Sequence, residues 1–240
     1  DDWLSWLEQQ HPKTIDLGLE RAGQVADRLG LRTLGCTVIT VGGTNGKGST
    51  VATLVSICRA AGLRVGSYTS PHILHFNERI CINDTPVDDV TLVRAFEKIR
   101  AVQGDVSLTY FEFTTLAAFL IFREAGLDVA VLEVGLGGRL DAVNLVDADV
   151  AVVTSIGIDH IEYMGDTREK IAVEKAGIFR AGRTAICGDD NPPDTLLGAA
   201  ALSGATLICR GRDFDFRSED EGGWAWHDAQ RVLTGLPRPR

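Results

Sequence analysis

Short, wholly apolar runs alternate along the chain with longer stretches whose apolar residues recur at helical spacing. Residues 37–41 (TVITV) predict a buried strand, followed by a glycine-rich loop and a helix to about residue 61. Residues 64–68 predict the next strand. Helices follow over about 89–102 and 114–125, then two strong strands at 128–134 (DVAVLEV) and 149–154 (DVAVVT). A helix through residue 170, a short strand at 184–187 and one further helix–strand pair ending near residue 210 complete the series. Strands of this kind, separated by helices, predict an α/β fold: a mostly parallel sheet with helices on both faces. Ligands of such sheets collect beyond the carboxyl ends of the strands. The last thirty or so residues differ. Residues 213–228 alternate apolar and polar positions around residues 219–223 (EDEGG), the pattern of a β-hairpin extension over about 210–235, and residues 236–240 (LPRPR) read as a linker.

Composition narrows the partners. The chain of 240 residues is 45% hydrophobic but only 7% aromatic, so small aliphatic side chains fill its core, as buried parallel strands require. A formal net charge of -9 argues against a nucleic-acid partner. It does not argue against a nucleotide, for which one loop supplies enough local positive potential. The five cysteines, at 36, 58, 81, 187 and 209, form no CxxC pair, the usage of reduced thiols in a cytoplasm. No apolar run is long enough to span a membrane, and Asp1-Asp2-Trp3 does not read as the start of a signal peptide. The expectation is a cytoplasmic protein with no membrane partner.

Residues 42–49 (GGTNGKGS) follow a predicted strand and open a predicted helix. Glycines let the backbone curl so that its N–H groups point at phosphates. The helix N-terminus adds its positive end, and Lys47 brings a full charge to the outer phosphates. The generic pattern GxxxxGK[ST] is not met: Val41 stands where a glycine is required, and Gly48 replaces the metal-binding hydroxyl. The competing reading is a tight strand-to-helix turn with a solvated lysine. If the hydroxyl comes from elsewhere, Ser70 at the end of the next predicted strand is the candidate, although a Ser-Pro pair after a strand also makes an ordinary turn.

The loop GTNGKGS resembles that of the folylpolyglutamate synthase branch of the Mur ligase family, whose members join a carboxylate to an amino acid using ATP. Further segments extend the resemblance in family order: 14–21 (TIDLGLER), 69–72 (TSPH), 77–79 (NER), 108–112 (LTYFE), 132–141 (LEVGLGGRLD), 158–160 (IDH) and 174–179 (EKAGIF). It covers essentially the whole chain, which is then one ATP-binding, phosphate-loop domain of Mur-ligase type. An N-terminal helical segment, residues 1–35, contributes to its substrate pocket. The resemblance implies that Thr44, Asn45, Gly46, Lys47, Gly48 and Ser49 hold ATP. It implies that Ser70, Glu133 and His160 bind magnesium, a pair of ions being expected, and that Lys175 carries a carbamate that also ligates metal. Lys47, Glu133, His160 and Lys175 would serve catalysis. Ile15, Asp16, Leu17 and Gly18, then Thr109, Tyr110, Phe111 and Glu112, then Leu140, Asp141 and Ala142, would line the pocket for dihydropteroate or folates. L-Glutamate is the remaining substrate, and a monomer is expected. The resemblance places a second, glutamate-binding domain beyond this one. The roughly thirty residues after Arg210 are too few to build it, so the chain alone is expected to bind ATP and make little product.

Several of these roles have physical support and a competitor. Glu133 lies late in an apolar strand, where a carboxylate is costly unless it meets a cation or a donor; that partner is a metal ion or an arginine such as Arg139. His160 is a softer ligand than magnesium ordinarily takes, and reads equally as a core or loop histidine. Lys175 beside magnesium would be repelled unless carbon dioxide converts it to an anion; otherwise it is a surface lysine paired with Glu174 or Glu169. Phe111 either stacks on a flat ring or belongs to the core, and Asp16 either accepts from a pterin or caps the following helix. The reaction implied is phosphorylation of a substrate carboxylate by ATP, then attack by the amine of glutamate. A Mur-type ligase for another amino acid, or a nucleotide-binding module without catalysis, are the other classes the sequence allows.

Overall fold

The computed structural model describes residues 2–219 and 223–237. Its frame is an eight-stranded sheet in the order β4-β3-β2-β5-β1-β6-β7-β8. The strands are β1 (Thr37–Gly42), β2 (Val65–Tyr68), β3 (Ile80–Ile82), β4 (Thr85–Pro86), β5 (Val129–Glu133), β6 (Val150–Val153), β7 (Thr184–Cys187) and β8 (Thr206–Cys209). The pairs from β2 through β8 are parallel, whereas β3 and β4 add an antiparallel edge. β1 and β5 sit at the centre, and β5 is buried at every position, which is why DVAVLEV carries no alternation.

The helices are α1 (Asp2–Glu8), α2 (Glu20–Leu29), α3 (Lys47–Ala60), α4 (Asp89–Gln103), α5 (Tyr110–Ala125), α6 (Ile161–Met164), α7 (Arg168–Ala176) and α8 (Asp194–Ser203). Successive side chains of a strand face opposite ways. Ala130 and Leu132 of β5 therefore join a core with α2, α4 and α5, while Val129 and Val131 pack with Val51 and Val55 of α3. A third core, built on β6, β7, α7 and α8, fills the other end of the sheet.

Three expectations change. α5 starts at Tyr110 and not near 114, because Thr109 and Glu112 form a capping box: Thr109 Oγ1 accepts the Glu112 N–H (3.2 Å) and Glu112 Oε2 accepts the Thr109 N–H (2.7 Å). The single helix expected through residue 170 is two, broken at Gly165, whose φ of 95° suits glycine, with α7 restarted by a Thr167 cap and carried on to Ala176. The expected hairpin is a three-stranded antiparallel sheet of β9 (Phe214–Ser218), β10 (Gly223–Asp228) and β11 (Val232–Pro237). Leu236 and Pro237, read as linker, belong to β11, and Trp224 Nε1 donates to Pro237 O at 2.8 Å. The tip of the expected turn, 220–222, and residues 238–240 lie outside the described residues.

Candidate active site

The loops after β1, β2, β5 and β6 meet at one end of the sheet. Gly46 is the residue before α3 and adopts φ 83°, where a side chain would be strained. At Gly43 a Cβ would collide with Thr154 Oγ1. The glycine loop is thus seated directly on the segment after β6. Thr44 N donates to Ser155 O (2.9 Å), Asn45 N to Ser155 Oγ (3.0 Å), Gly157 N to Thr44 Oγ1 (2.9 Å), and Thr154 Oγ1 to Asn45 O (2.7 Å). Lys47 Nζ turns back over the loop to Gly43 O (3.0 Å) and Thr44 O (3.2 Å). Beneath residues 154–157 lies a clamp that sequence reasoning missed. Buried Asp189 accepts from Ile156 N (2.7 Å) and from Arg168 (3.0 Å), and Arg168 Nε donates to Ile156 O (2.7 Å). Its members are far apart in the chain and match no local pattern.

Glu133 is buried at the end of β5 and accepts the Ser70 N–H at 3.1 Å. The arginine alternative fails, since Arg139 pairs with Glu174 (2.9 Å). Burial pushes the Glu133 carboxyl up; the Ser70 N–H and the Lys47 charge oppose it. A Cβ at Gly48 would face this carboxylate at 3.9 Å, so the residue that lacks the usual hydroxyl stands next to the acid. Lys175, in the last turn of α7, is 2% exposed and has no hydrogen bond or ion pair with any described residue; it is no surface lysine paired with Glu174 or Glu169. Burial, and then the nearby charge of Lys47, bring its amine down to about 8 against a weaker pull from Asp159. His160 sits in a left-handed conformation just before α6, its side chain half exposed, with Asp159 3.7 Å away. It is not a core histidine. Among the described residues no three His, Cys, Asp or Glu side chains gather as a ready metal cage. Glu133, with Ser70 beside it, fits a hard cation that draws its other oxygens from phosphates, and His160 on the adjoining wall is the softer donor.

A cavity of about 270 Å³ opens beside this centre, and Ser70, Pro71 and His160 form part of its wall. Ile15, Asp16, Leu17, Gly18, Thr109, Phe111, Glu112, Leu140, Asp141 and Ala142 all line it. Tyr110 does not: its ring turns away onto the Arg79 guanidinium (5.4 Å) and Phe76 (6.1 Å). Phe111 is half-buried, tilted against Tyr68 at 6.0 Å, and presses on Gly135, where a Cβ would come within 2.5 Å of its ring. Asp16 is not the cap of α2, whose N-terminus has no side-chain cap; it pairs with Arg21 (2.7 Å) and Lys13 (3.1 Å). The Lys13 hydrogen bond and the Arg21 charge hold its carboxyl below the usual range. Arg21 also reaches Glu112 (3.1 Å), tying the segment before α2 to the start of α5. Asp141 is buried and accepts from Leu136 N (2.8 Å) and Val143 N (2.9 Å), which fixes the loop after β5. Burial pushes it up to about 7 against those N–H groups. The cavity wall also includes Thr14, Gly135, Leu136 and Arg79, to which the sequence reading gave no role. A larger cleft, about 1020 Å³, lies between β8 and the small sheet and shares no residue with this site.

A glycine loop that opens a helix on a mostly parallel sheet, with the buried Glu133 and a cavity beside it, is the plan of a nucleotide-binding α/β domain. Residues 41–213 match the Mur ligase middle domain, and the chain belongs to the Mur ligase family. It is 50% identical over 237 residues to the dihydrofolate synthase/folylpolyglutamate synthase of Escherichia coli (strain K12), covering 99% of this chain and 56% of that protein. The structure of E. coli FolC in complex with DHPP and ADP superposes with a TM-score of 0.97 at 50% identity, covering 99% of this chain and 57% of that one. A bifunctional folylpolyglutamate synthase/dihydrofolate synthase with Mn, AMPPNP and L-glutamate bound gives 0.93 at 48% identity, covering 100% of this chain and 57% of that one. The chain therefore spans just over half the length of these relatives.

Proposed function

We propose that these residues form the ATP- and acceptor-binding part of a ligase that adds L-glutamate to dihydropteroate and to folates. The observation that carries this reading is the single cavity that joins ten residues of three separate segments to Ser70 and His160, next to the glycine loop. Relatives of half-identical sequence bind DHPP with ADP, or AMPPNP with L-glutamate, which supports the same substrates here.

In this reading residues 43–49 surround the phosphates of ATP, and Lys47 leaves the carbonyls of Gly43 and Thr44 to neutralise the outer phosphates. Phe111 offers a ring face to the pterin, and Asp16, Glu112 and Asp141 offer acceptors for its N–H groups. An oxygen of the acceptor carboxylate attacks the γ-phosphorus and ADP leaves, giving an acyl phosphate. The glutamate nitrogen then attacks the acyl carbon, phosphate leaves, and the amide forms with loss of a proton. Ser70, Glu133 and His160 would hold magnesium, which when bound offsets the charge of the phosphate oxygens. The Lys175 amine, buried and depressed, suits reaction with carbon dioxide: its nitrogen lone pair forms the N–C bond, a proton is released, and the product is an anionic oxygen donor near Lys47 and Asp159. The five unbridged cysteines suit a reducing cytoplasm.

The test joins these 240 residues to the remaining segment of the E. coli relative. With ATP, magnesium, dihydropteroate and glutamate, mass spectrometry should find dihydrofolate, and Lys47→Ala should remove it by ~10²–10³-fold or more. A folded chimaera that hydrolyses ATP yet forms no dihydrofolate would overturn the assignment.

A further inference from the structure

The segment Asn77-Glu78-Arg79 has no role in the account above, and two of its three side chains are fully occupied inside the protein. Asn77 Nδ2 donates to Val87 O (2.7 Å) and Asp89 (2.9 Å), fastening the start of α4. Glu78 accepts the N–H groups of Ile73 (2.8 Å), Leu74 (3.1 Å) and His75 (2.8 Å), which holds the exposed loop after Pro71 in shape. Arg79 is different. It is 9% exposed, and its guanidinium is gripped on one edge and over two ring faces without meeting any carboxylate. Nε donates to His72 Nδ1 at 2.8 Å, and Cζ lies 5.8 Å from the Phe76 ring centroid and 5.4 Å from that of Tyr110. Neither Nη nitrogen has a hydrogen-bond or ion-pair partner among the described residues.

Among the described residues Arg79 is also the one Arg or Lys in the wall of the acceptor cavity. None of the acids of that wall meets it: Asp16 and Glu112 pair with Arg21, and Asp141 accepts from backbone N–H groups. Its main chain places it at the reacting end. Thr69 N donates to Arg79 O at 2.9 Å, and β2 and β3 pair Tyr68 with Ile80, so Arg79 stands across from the turn that carries Ser70. The Nη groups are not sealed off, since Arg79 borders the open cavity, so an anion that enters it can meet them. With Nε occupied, the two Nη groups form a fork matched to the two oxygens of a carboxylate.

From this geometry we propose that Arg79 receives the carboxylate of the acceptor substrate and orients it toward the phosphate loop, with His72, Phe76 and Tyr110 holding the guanidinium in place. The inference rests on the reading of the cavity as the dihydropteroate site and adds to it a reason why the acceptor must be an acid. Arg79 is a substrate-binding residue; His72 acts through it.

The test compares dihydropteroate with its carboxamide, which keeps the ring system and loses the charge, by calorimetry on the chain. The wild type should bind the acid about 10- to 100-fold more tightly than the amide, the span expected for hydrogen bonds to a charged group. Arg79→Gln should lose that preference by weakening acid binding alone, and Arg79→Lys should keep part of it. Affinity for an ATP analogue, unchanged in both variants, reports that the fold is intact. Equal binding of acid and amide by the wild type overturns the proposal without any variant. So does a preference that survives Arg79→Gln, or equal weakening of both ligands. If the wild type binds neither pterin, the reading of the cavity falls and this inference with it; if it binds both alike, only this inference falls.

Discussion

In the glycine loop Lys47, Thr44 and the Asn45 amide already have protein partners, whereas in the cavity both Nη groups of Arg79 have none among the described residues. Lys47 rests on Gly43 O and Thr44 O, the Asn45 amide is met by Ser155, and Thr44 is tied to Gly157. In the proposed reading Lys47 would exchange its two carbonyls for phosphate, so this half of the site would be shaped by exchange. In the cavity, both Nη groups of Arg79 and the buried Glu112 Oε1 lack hydrogen-bond partners. The Arg21 nitrogen 3.1 Å from Glu112 Oε1 supplies charge, but the angle is poor for a hydrogen bond. That half is fixed before a ligand arrives, by Phe111 against Gly135, by Asp141 within its loop, and by the Arg21 bridge. The difference teaches that, in the proposed reading, affinity for nucleotide would rest on a loop held from below and affinity for the acceptor on a wall held from its sides.

If so, the two can be damaged separately. The larger expected effect is on the cavity. In Gly135→Ala the new Cβ would meet the Phe111 ring at 2.5 Å, so the ring must move. Dihydropteroate affinity should fall about 10- to 100-fold and stability by about 1–3 kcal/mol, with ATP-analogue affinity unchanged in calorimetry. A matching loss of nucleotide affinity would break the separation. The smaller effect is on the loop. Asp189→Asn removes the charge that holds Ile156 N and Arg168, at a cost of about 1–3 kcal/mol. Nucleotide affinity should drop by up to about tenfold with dihydropteroate affinity unchanged, which would sharpen the comparison. No change in either affinity would show that the clamp serves the fold alone.

How much of this was legible in the chain follows from the range of each interaction. The parallel sheet was readable because β1, β5 and β6 are apolar by burial, and burial is written in local composition. The capping box that starts α5 was also written locally, as Thr109 and Glu112, and was passed over. The β3–β4 hairpin was missed although Asn83 and Asp84, at φ 51° and 66°, are residues suited to such a turn. The assigned cavity residues came together because three motifs each supply a short contiguous piece of wall. Tyr110 was misplaced because neighbours in a helix point in different directions, and its ring serves Arg79 instead. The Asp189 clamp and the unpaired state of Arg79 were not legible at all. Each depends on which distant groups meet, or fail to meet, after the sheet has formed.

The central claim is that phosphate loop and acceptor cavity are adjoining halves of one ligase site. It is tested most directly by a crystal structure of the chain with an ATP analogue, magnesium and dihydropteroate. The account predicts phosphates against residues 43–49, the pterin ring on Phe111 within reach of Asp16 and Asp141, and its carboxylate at Arg79 facing the outer phosphate. A pterin in the larger cleft beside β8, or phosphates bound away from Lys47, would contradict it.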